Sequence, residues 1–298
     1  MKKFNNNAGV LSANENANAN NYSNTIKKWN SLTFTDDFIF CKVLQNPEIC
    51  KELLEILLNI KITKLEYVNK QQVVDPIFEA KGIRLDVYVD DGNRVFDIEM
   101  QTSINSDLSK RARYYASAMD IELLNQGQYY SELKESFVIF ICTKDPFGKD
   151  YPIYSFENIC KEDKNLNLDD KTHKIFYNAS AYNNLDANRI KDFLDFVTNG
   201  VAKSDFTSKL QDNVVKIKSN RNWRSEYMTM EMKLHEREQI GIEQGIAIGE
   251  AKGRSEGRTE GIHAQAVESA KILKSKGMDL DFIQQVTGLS INEINNLK

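Results

Sequence analysis

Residues 83–101, which read IRLDVYVDDGNRVFDIEMQ, decide the fold of this chain. Apolar and polar side chains alternate on both sides of the turn residues Asp90–Asn93, and this period of two predicts a β-hairpin. If Val89 lies opposite Arg94, the apolar side chains of both strands fall on one face. The acidic side chains then share the other face.

The polar face of the predicted hairpin carries Asp86, Asp97, Glu99 and Gln101, with Asp86 and Glu99 placed diagonally, about 5–8 Å apart. Two carboxylates at such a distance repel each other unless a positive charge lies between them, and a divalent cation would supply that charge. Water bound to such a cation is a stronger nucleophile toward a phosphodiester. The alternative is an ordinary solvated sheet face, and Asp97 is left outside the predicted site.

Helical and strand patterns alternate around the hairpin, which predicts an α/β core. Helices are predicted from Thr35 to Leu44, from Asn46-Pro47 onward, over Ser106–Leu124 and over Asp186–Val197; further strands are predicted over Ile62–Val68, Phe137–Cys142 and Lys174–Asn178.

Composition excludes several classes of protein. With 39 Lys+Arg against 43 Asp+Glu, the formal net charge is -4, so any DNA contact needs a local basic patch. The four cysteines are far apart and show no zinc-site spacing, and no apolar run approaches the roughly 20 residues of a membrane span. Phosphate-binding and dinucleotide-binding glycine motifs are absent as well. We therefore expect a cytoplasmic protein with neither a membrane nor a nucleotide partner.

The chain divides into four predicted segments: a disordered Asn-rich tail (1–24), the α/β core (32–200), a helical extension (201–263) and a small helical module (264–298). In the extension, glycine recurs every four residues from Gly241 to Gly261. This stripe favours close approach of a second helix, and the expected partner is the same segment of another subunit. The alternative is a flexible linker.

The C-terminal module resembles a helix-turn-helix, with Thr287–Ser290 joining its two short helices and Ser290 capping the second one. That second helix is nearly uncharged, whereas DNA-reading helices usually carry Arg or Lys toward phosphates. Contact with protein and contact with DNA both stay open for this module.

A series of motifs, taken in order, resembles one known family. The series is Asp37-Phe38-x-Phe40-x-Lys42, Arg84-Leu85-Asp86-Val87, Ile98-Glu99-Met100-Gln101, Lys110-Arg111-Ala112-x-Tyr114-Tyr115 and Tyr130-Ser131-Glu132-Leu133-Lys134. Its order and spacing over roughly residues 32–180 are similar to those of the Rpn recombination-promoting nucleases, a transposase-like branch of the PD-(D/E)XK nuclease family.

The resemblance implies a restriction-endonuclease-like (PD-(D/E)XK) α/β core with a long helical C-terminal extension. It also implies a metal-dependent DNA endonuclease that uses Mg²⁺ or Mn²⁺, with Asp86 and Glu99 as metal ligands and catalytic residues. Recombination is the process that the family name suggests. The alternatives are a catalytically weak DNA-binding or assembly protein and a purely structural oligomer.

One position departs from the superfamily pattern, because Gln101 stands where the pattern ends in Lys. A neutral amide can orient a water molecule but adds no positive charge. Lys110 or Arg111 on the following helix would supply that charge, unless both belong to a solvated helix face. Asp37 is a further candidate acid, with helix capping as its alternative role.

Overall fold

A computed structural model gives the structure of residues 24–67, 73–74, 83–104 and 106–297. Except for its last residue, the predicted tail 1–24 lies outside these described residues. So does Val68, the end of the predicted strand that began at Ile62. In that region the described part of the chain forms a strand only at Glu66–Tyr67.

A six-stranded mixed sheet forms the centre of the fold. The described residues contain eight strands in all, six of which form this sheet. They are β1 (Glu66–Tyr67), β2 (Val73–Val74), β3 (Ile83–Arg84), β4 (Val87–Asp90), β5 (Arg94–Gln101), β6 (Glu135–Cys142), β7 (Ile153–Phe156) and β8 (Thr172–Asn178). The order in the sheet is β1-β4-β5-β6-β8-β7, while β2 and β3 pair separately. β6 runs parallel to both β5 and β8, and the other pairs are antiparallel. The predicted strands at 137–142 and 174–178 are confirmed within β6 and β8.

Nine helices flank this sheet or follow it in the described residues. They are α1 (24–31), α2 (Asp37–Leu44), α3 (Pro47–Leu58), α4 (Leu108–Leu123), α5 (Arg189–Asn199), α6 (Asp205–Ser219), α7 (Arg221–Ser275), α8 (Leu280–Thr287) and α9 (Ile291–Asn296). The helix start predicted at Asn46 is confirmed, since the Asn46 side chain accepts a hydrogen bond from the backbone N–H of Glu48 at 3.1 Å.

The hairpin forms between β4 and β5, but its register differs by two residues from the predicted one. Val89 faces Phe96 rather than Arg94, and the backbone N–H of Asp91 donates to the Arg94 carbonyl at 3.0 Å. The turn therefore consists of Gly92 and Asn93 alone, and Gly92 has the positive φ of 102° that two-residue hairpin turns require. A shift of two keeps every side chain on its predicted face.

Both faces of the central strands are buried, so the alternative of a solvated polar face is wrong. α4 covers the face that carries the acidic residues and packs its own apolar side chains against β6. This packing involves Leu108, Ala112, Ala116 and Met119 of α4 with Val138 and Phe140 of β6. On the opposite face, the Tyr177 hydroxyl of β8 donates to the carbonyl of Leu57 at the end of α3.

The core continues past residue 200, where the sequence prediction ended it. The chain divides into two compact units, Met1–Met228 and Thr229–Lys298. α6 buries Phe206, Leu210, Val214 and Ile217. The Trp29 ring packs against Tyr227 of α7 at 5.3 Å between centroids. α6 and the first turns of α7 therefore complete the core that holds the sheet.

The second unit consists of the rest of α7 with α8 and α9. α7 continues as one helix through all six glycines, so the segment predicted to begin at Ala264 is the end of this longer helix. The C-terminal core contains Ala270, Ile283, Leu289 and Ile294. Val286 and Ile291 of the same two short helices are exposed. Among the helices of the described residues, none is both long and apolar enough to span a bilayer.

Candidate active site

Asp86 and Glu99 lie where the pairing of β4 with β5 ends. The last pair is Val87 with Ile98; Asp86 directly precedes Val87, and Glu99 directly follows Ile98. The backbone N–H of Asp86 donates to Glu99 Oε1 at 2.9 Å. Asp86 Oδ2 in turn accepts from the backbone N–H of Met100 at 3.4 Å. The two carboxylates are thus held at the point where β4 and β5 begin to separate.

Arg111 of α4 reaches across to the end of β5. Its Nη1 donates to Gln101 Oε1 at 2.9 Å, and its Nη2 donates to Glu99 Oε2 at 3.2 Å. The Gln101 amide nitrogen donates to the carbonyl of Ser103 at 2.6 Å and to its hydroxyl at 3.1 Å. One guanidinium therefore contacts both polar residues of the Glu99-Met100-Gln101 motif.

Aromatic rings hold the Arg111 side chain in place. Its guanidinium carbon lies 5.4 Å from the centroid of the Tyr115 ring and 5.4 Å from that of Phe140. Nη2 also donates to the Tyr115 hydroxyl at 3.3 Å. A planar cation in contact with two rings and three hydrogen-bond acceptors has little freedom to leave.

The other two auxiliary candidates lie elsewhere. Lys110, the neighbour of Arg111, is exposed on α4. Asp37 is exposed in the first turn of α2, directly after the cap residue Asp36. The hydrogen bonds of Glu99 and Gln101 involve neither of them. Of the six predicted site residues, the structure brings together Asp86, Glu99, Gln101 and Arg111.

A fifth polar residue, Asp97, lies on the same face and was left out of the predicted site. Its side chain is fully buried, no N–H or hydroxyl of the described residues donates to its carboxyl oxygens, and its side-chain hydrogen bond is with the carboxyl of Glu99, which requires a proton on one of the two. The alternation of the strand placed Asp97 beside Glu99, but alternation carries no information on whether a helix covers that face. Its burial follows from the position of α4.

The carboxyl groups of Glu99 and Asp97 resist ionisation, because the pKa of each is raised. Burial, together with the negative charge of Asp86, raises the pKa of Glu99 to about 8. Burial raises the pKa of Asp97 well above its usual value, and the charges of Glu99 and Asp86 add to that rise. Arg111 opposes both shifts but does not cancel them.

The donor set fits a hard divalent cation. Within the described residues, no three His, Cys, Asp or Glu side chains are grouped as a complete set of metal ligands. Mg²⁺ does not need one, because it usually binds through one or two carboxylates and keeps several water molecules. Asp86 and Glu99 offer oxygen ligands only, and the buried carboxyl of Asp97 lies on the same face.

Comparison with known proteins gives one match. A family model described as "PD-(D/E)XK nuclease family transposase" matches residues 34–239, which include the whole sheet, the site and the start of α7. Neither a curated protein nor a solved structure matches the chain.

We predict that the metal-free protein loses stability as the pH rises. The folded pKa of Glu99 is about 8 and its ordinary value is 4.5, so the folded state binds more protons than the unfolded state between these values. The stability that this proton provides is complete below pH 4.5 and is lost as the pH rises through 8. Glu99→Gln should make the decrease of stability with rising pH shallower. Part of that decrease should remain, because the pKa of Asp97 is also raised.

Urea unfolding in EDTA from pH 5 to pH 9 measures this effect. Glu250→Gln, which changes an exposed carboxyl of α7 outside the site, serves as the control. A wild-type stability that increases over this range, or an equal slope in Glu99→Gln, would contradict the prediction.

Proposed function

The chain belongs to the PD-(D/E)XK nuclease family transposases, and we propose that it is a metal-dependent DNA endonuclease that hydrolyses phosphodiester bonds. We place this activity in the cytoplasm, with Mg²⁺ or Mn²⁺ as cofactor and recombination as the process it serves. The observation that supports the proposal best is the carboxyl pair formed by the partly buried Asp86 and the buried Glu99, beside the Arg111 guanidinium.

Each residue of the site has a proposed role. A divalent cation bound by Asp86 and Glu99 would supply positive charge and a more acidic water to the reaction. Arg111, which is partly exposed, provides the positive charge that the Lys of the superfamily motif would provide, directed at the charge that develops on the phosphate. Its second function is to hold the Glu99 carboxylate in one orientation.

Gln101 acts as a positioning residue in this proposal. Its amide oxygen accepts from Arg111 and its amide nitrogen donates to Ser103, so both ends of the amide are engaged within the chain. Arg111 thereby replaces the positive charge of the missing Lys, and Gln101 holds the Arg111 side chain in position. This arrangement supports an active site despite the departure at Gln101.

Loss of either acidic ligand should abolish cleavage. We expect Asp86→Asn and Glu99→Gln each to lower Mg²⁺- or Mn²⁺-dependent cleavage of plasmid DNA by about 100-fold or more, the size typical of losing one group that stabilises transition-state charge. EDTA should have the same effect on the wild type. Glu122→Gln is the control for loss of a carboxyl outside the site.

Two results would change the conclusion. Cleavage that survives in both site variants would place the active site elsewhere. DNA binding without cleavage, in the wild type and with either metal, would favour the alternative of a catalytically weak DNA-binding or assembly protein.

Arg111 and its neighbour Lys110 provide a matched pair. Arg111→Ala should lower cleavage strongly, whereas Lys110→Ala should leave the rate near that of the wild type. The reason is that Arg111 contacts Glu99 and Gln101, while Lys110 is exposed. Arg111→Lys should recover part of the rate, since an ammonium restores the charge but not the two-pronged contact. Initial rates of plasmid cleavage measure all three variants, and equal losses at both positions would contradict the assigned role.

We also propose that α7 joins two copies of the chain. Six glycines lie in this helix, and a Cβ added at any of them would meet no atom of the described chain within 4 Å. Each glycine costs about 0.8–1 kcal/mol relative to Ala in a helix interior. Close contact with the backbone of another helix is a physical reason to keep them. Ile242, Ile246 and Ile262, which follow three of the glycines, are exposed.

The charges beside the glycines favour a parallel, in-register pair. Arg254 and Arg258 each follow a glycine, and Glu256 and Glu260 each precede one. The two sets form columns on opposite sides of the glycine stripe. In a parallel pair related by a two-fold axis, each column faces the opposite column of the second copy, so Arg meets Glu at matching heights. An antiparallel pair would bring like columns together.

Reversing one column should weaken this association. We expect Arg254→Glu with Arg258→Glu to shift the protein toward monomer in size-exclusion chromatography with light scattering, because like charges then face each other. Adding Glu256→Arg and Glu260→Arg should restore the wild-type mass. A wild-type monomer, or a quadruple variant that does not recover, would contradict the parallel arrangement.

A further inference from the structure

The loop between β6 and β7 begins at the edge of the sheet where the candidate active site lies. This β6–β7 loop consists of residues 143–152, which read TKDPFGKDYP. β6 runs parallel to β5, so the two strands end at the same edge. The first loop residue, Thr143, donates its backbone N–H to the Gln101 carbonyl at 2.9 Å and its hydroxyl to the Thr102 carbonyl at 3.2 Å. The loop therefore starts directly beside the site.

The β6–β7 loop lies on the face of the sheet that α4 covers. The Phe147 ring packs against Phe176 of β8, with the ring centroids 5.0 Å apart, and Phe176 belongs to the apolar cluster beneath α4. Burial raises the pKa of Cys142, at the end of β6, to about 12; the charge of Asp145 adds to this rise and that of Arg111 opposes it. The loop and the Arg111 guanidinium therefore lie near the same residue.

Hydrogen bonds within the chain hold the β6–β7 loop in place. The Asp145 carboxylate accepts from the backbone N–H of Phe147 at 2.9 Å and from that of Asp150 at 2.6 Å. The Tyr154 hydroxyl donates to the same carboxylate at 2.8 Å. The Asn184 amide donates to the Asp150 carbonyl at 2.9 Å. A loop held in this way loses little conformational entropy when a ligand binds to it.

Two lysines of the β6–β7 loop, Lys144 and Lys149, are exposed. Both acidic residues of the loop are engaged within the chain, since Asp145 holds the loop together and the Asp150 carboxylate accepts from Asn184 at 3.3 Å. Among the ion pairs of the described residues, none includes Lys144 or Lys149. Solvated ammonium groups on a fixed loop are suited to contact the phosphates of DNA.

We propose that the β6–β7 loop binds the DNA backbone beside the phosphodiester bond that is cleaved, with Lys144 and Lys149 each contacting a phosphate. The proposal rests on the proposed function, since it takes DNA as the substrate and Asp86 and Glu99 as the place of cleavage. It extends that function by naming the local basic patch that a chain of net charge -4 needs in order to bind DNA. Such contacts position the duplex without reading its sequence.

Contacts with phosphates have a signature in the salt dependence of binding. Each lysine that contacts a phosphate contributes about 1 to the slope of log Kd against log salt concentration. Loss of both lysines should therefore lower this slope by about 2. The groups that carry out the cleavage are unchanged in such a variant, so its kcat should stay near that of the wild type while its KM rises.

The test measures binding of the full-length protein to a fluorescein-labelled DNA duplex by fluorescence anisotropy, in EDTA and over a series of KCl concentrations. We expect Lys144→Gln with Lys149→Gln to raise the Kd about tenfold at about 0.1 M salt and to lower the salt slope as stated. Plasmid cleavage with Mg²⁺ then gives kcat and KM for the same variant. Both lysines are exposed, and Gln keeps most of the aliphatic stem, so we expect the variant to fold.

Lys161 and Lys164 provide the matched control. Both are exposed, and they follow β7, which runs antiparallel to β8 and thus carries the chain to the opposite end of the sheet. Lys161→Gln with Lys164→Gln removes the same two positive charges from the protein. This variant should keep the salt slope and the KM of the wild type.

Four outcomes would overturn the proposal. A wild-type salt slope in the Lys144 and Lys149 variant would overturn the role of the loop alone, and an equal loss in the control variant would assign the effect to the overall charge. No DNA binding by the wild type in EDTA would also overturn it, because contacts between lysine and phosphate need no metal, while the cleavage assay would still decide the nuclease activity. Binding that depends on the loop, without cleavage in either metal, would overturn the nuclease and with it the placement beside a cleaved bond.

Discussion

The contact of Arg111 with Glu99 and Gln101 is the interaction on which the site depends. It joins α4 to the end of β5, and the two elements otherwise meet through apolar side chains. Because α4 covers the polar face of the hairpin, Glu99 and Asp97 are buried, and burial makes their carboxyl groups resist ionisation. α4 thus raises the pKa of Glu99 by burying it, and it also carries Arg111, whose positive charge partly offsets that rise.

The buried acidic residues beneath α4 oppose the stability of the fold. A sheet face with Asp86, Asp97 and Glu99 beneath a helix costs free energy that apolar residues would not cost. Proteins retain such features mainly where function needs them. The packing of Trp29 and α6, which extends the core to Met228, buries apolar side chains. This part of the fold contains none of the three acidic residues.

Particular residues show where sequence reasoning succeeded and where it failed. The hairpin, its two faces and the pair Asp86 and Glu99 could be predicted, because a period of two assigns faces without knowledge of the fold. The register was wrong by two residues, since the turn contains Gly92 and Asn93 rather than four residues. Lys110 and Arg111 were equal candidates in the sequence, and only the orientation of α4 distinguishes them.

The sequence by itself determined which residues share a face of the hairpin and that an acidic pair meets there, because strand alternation is a local property of the backbone. It also determined the glycine stripe and its flanking charges, which depend on helical spacing alone. Only the tertiary structure decided that α4 covers the acidic face, that Arg111 rather than Lys110 contacts it, and that Asp97 is fully buried. The physical reason is that burial and pairing arise between segments distant in the chain, here when α4 packs over β5 and β6.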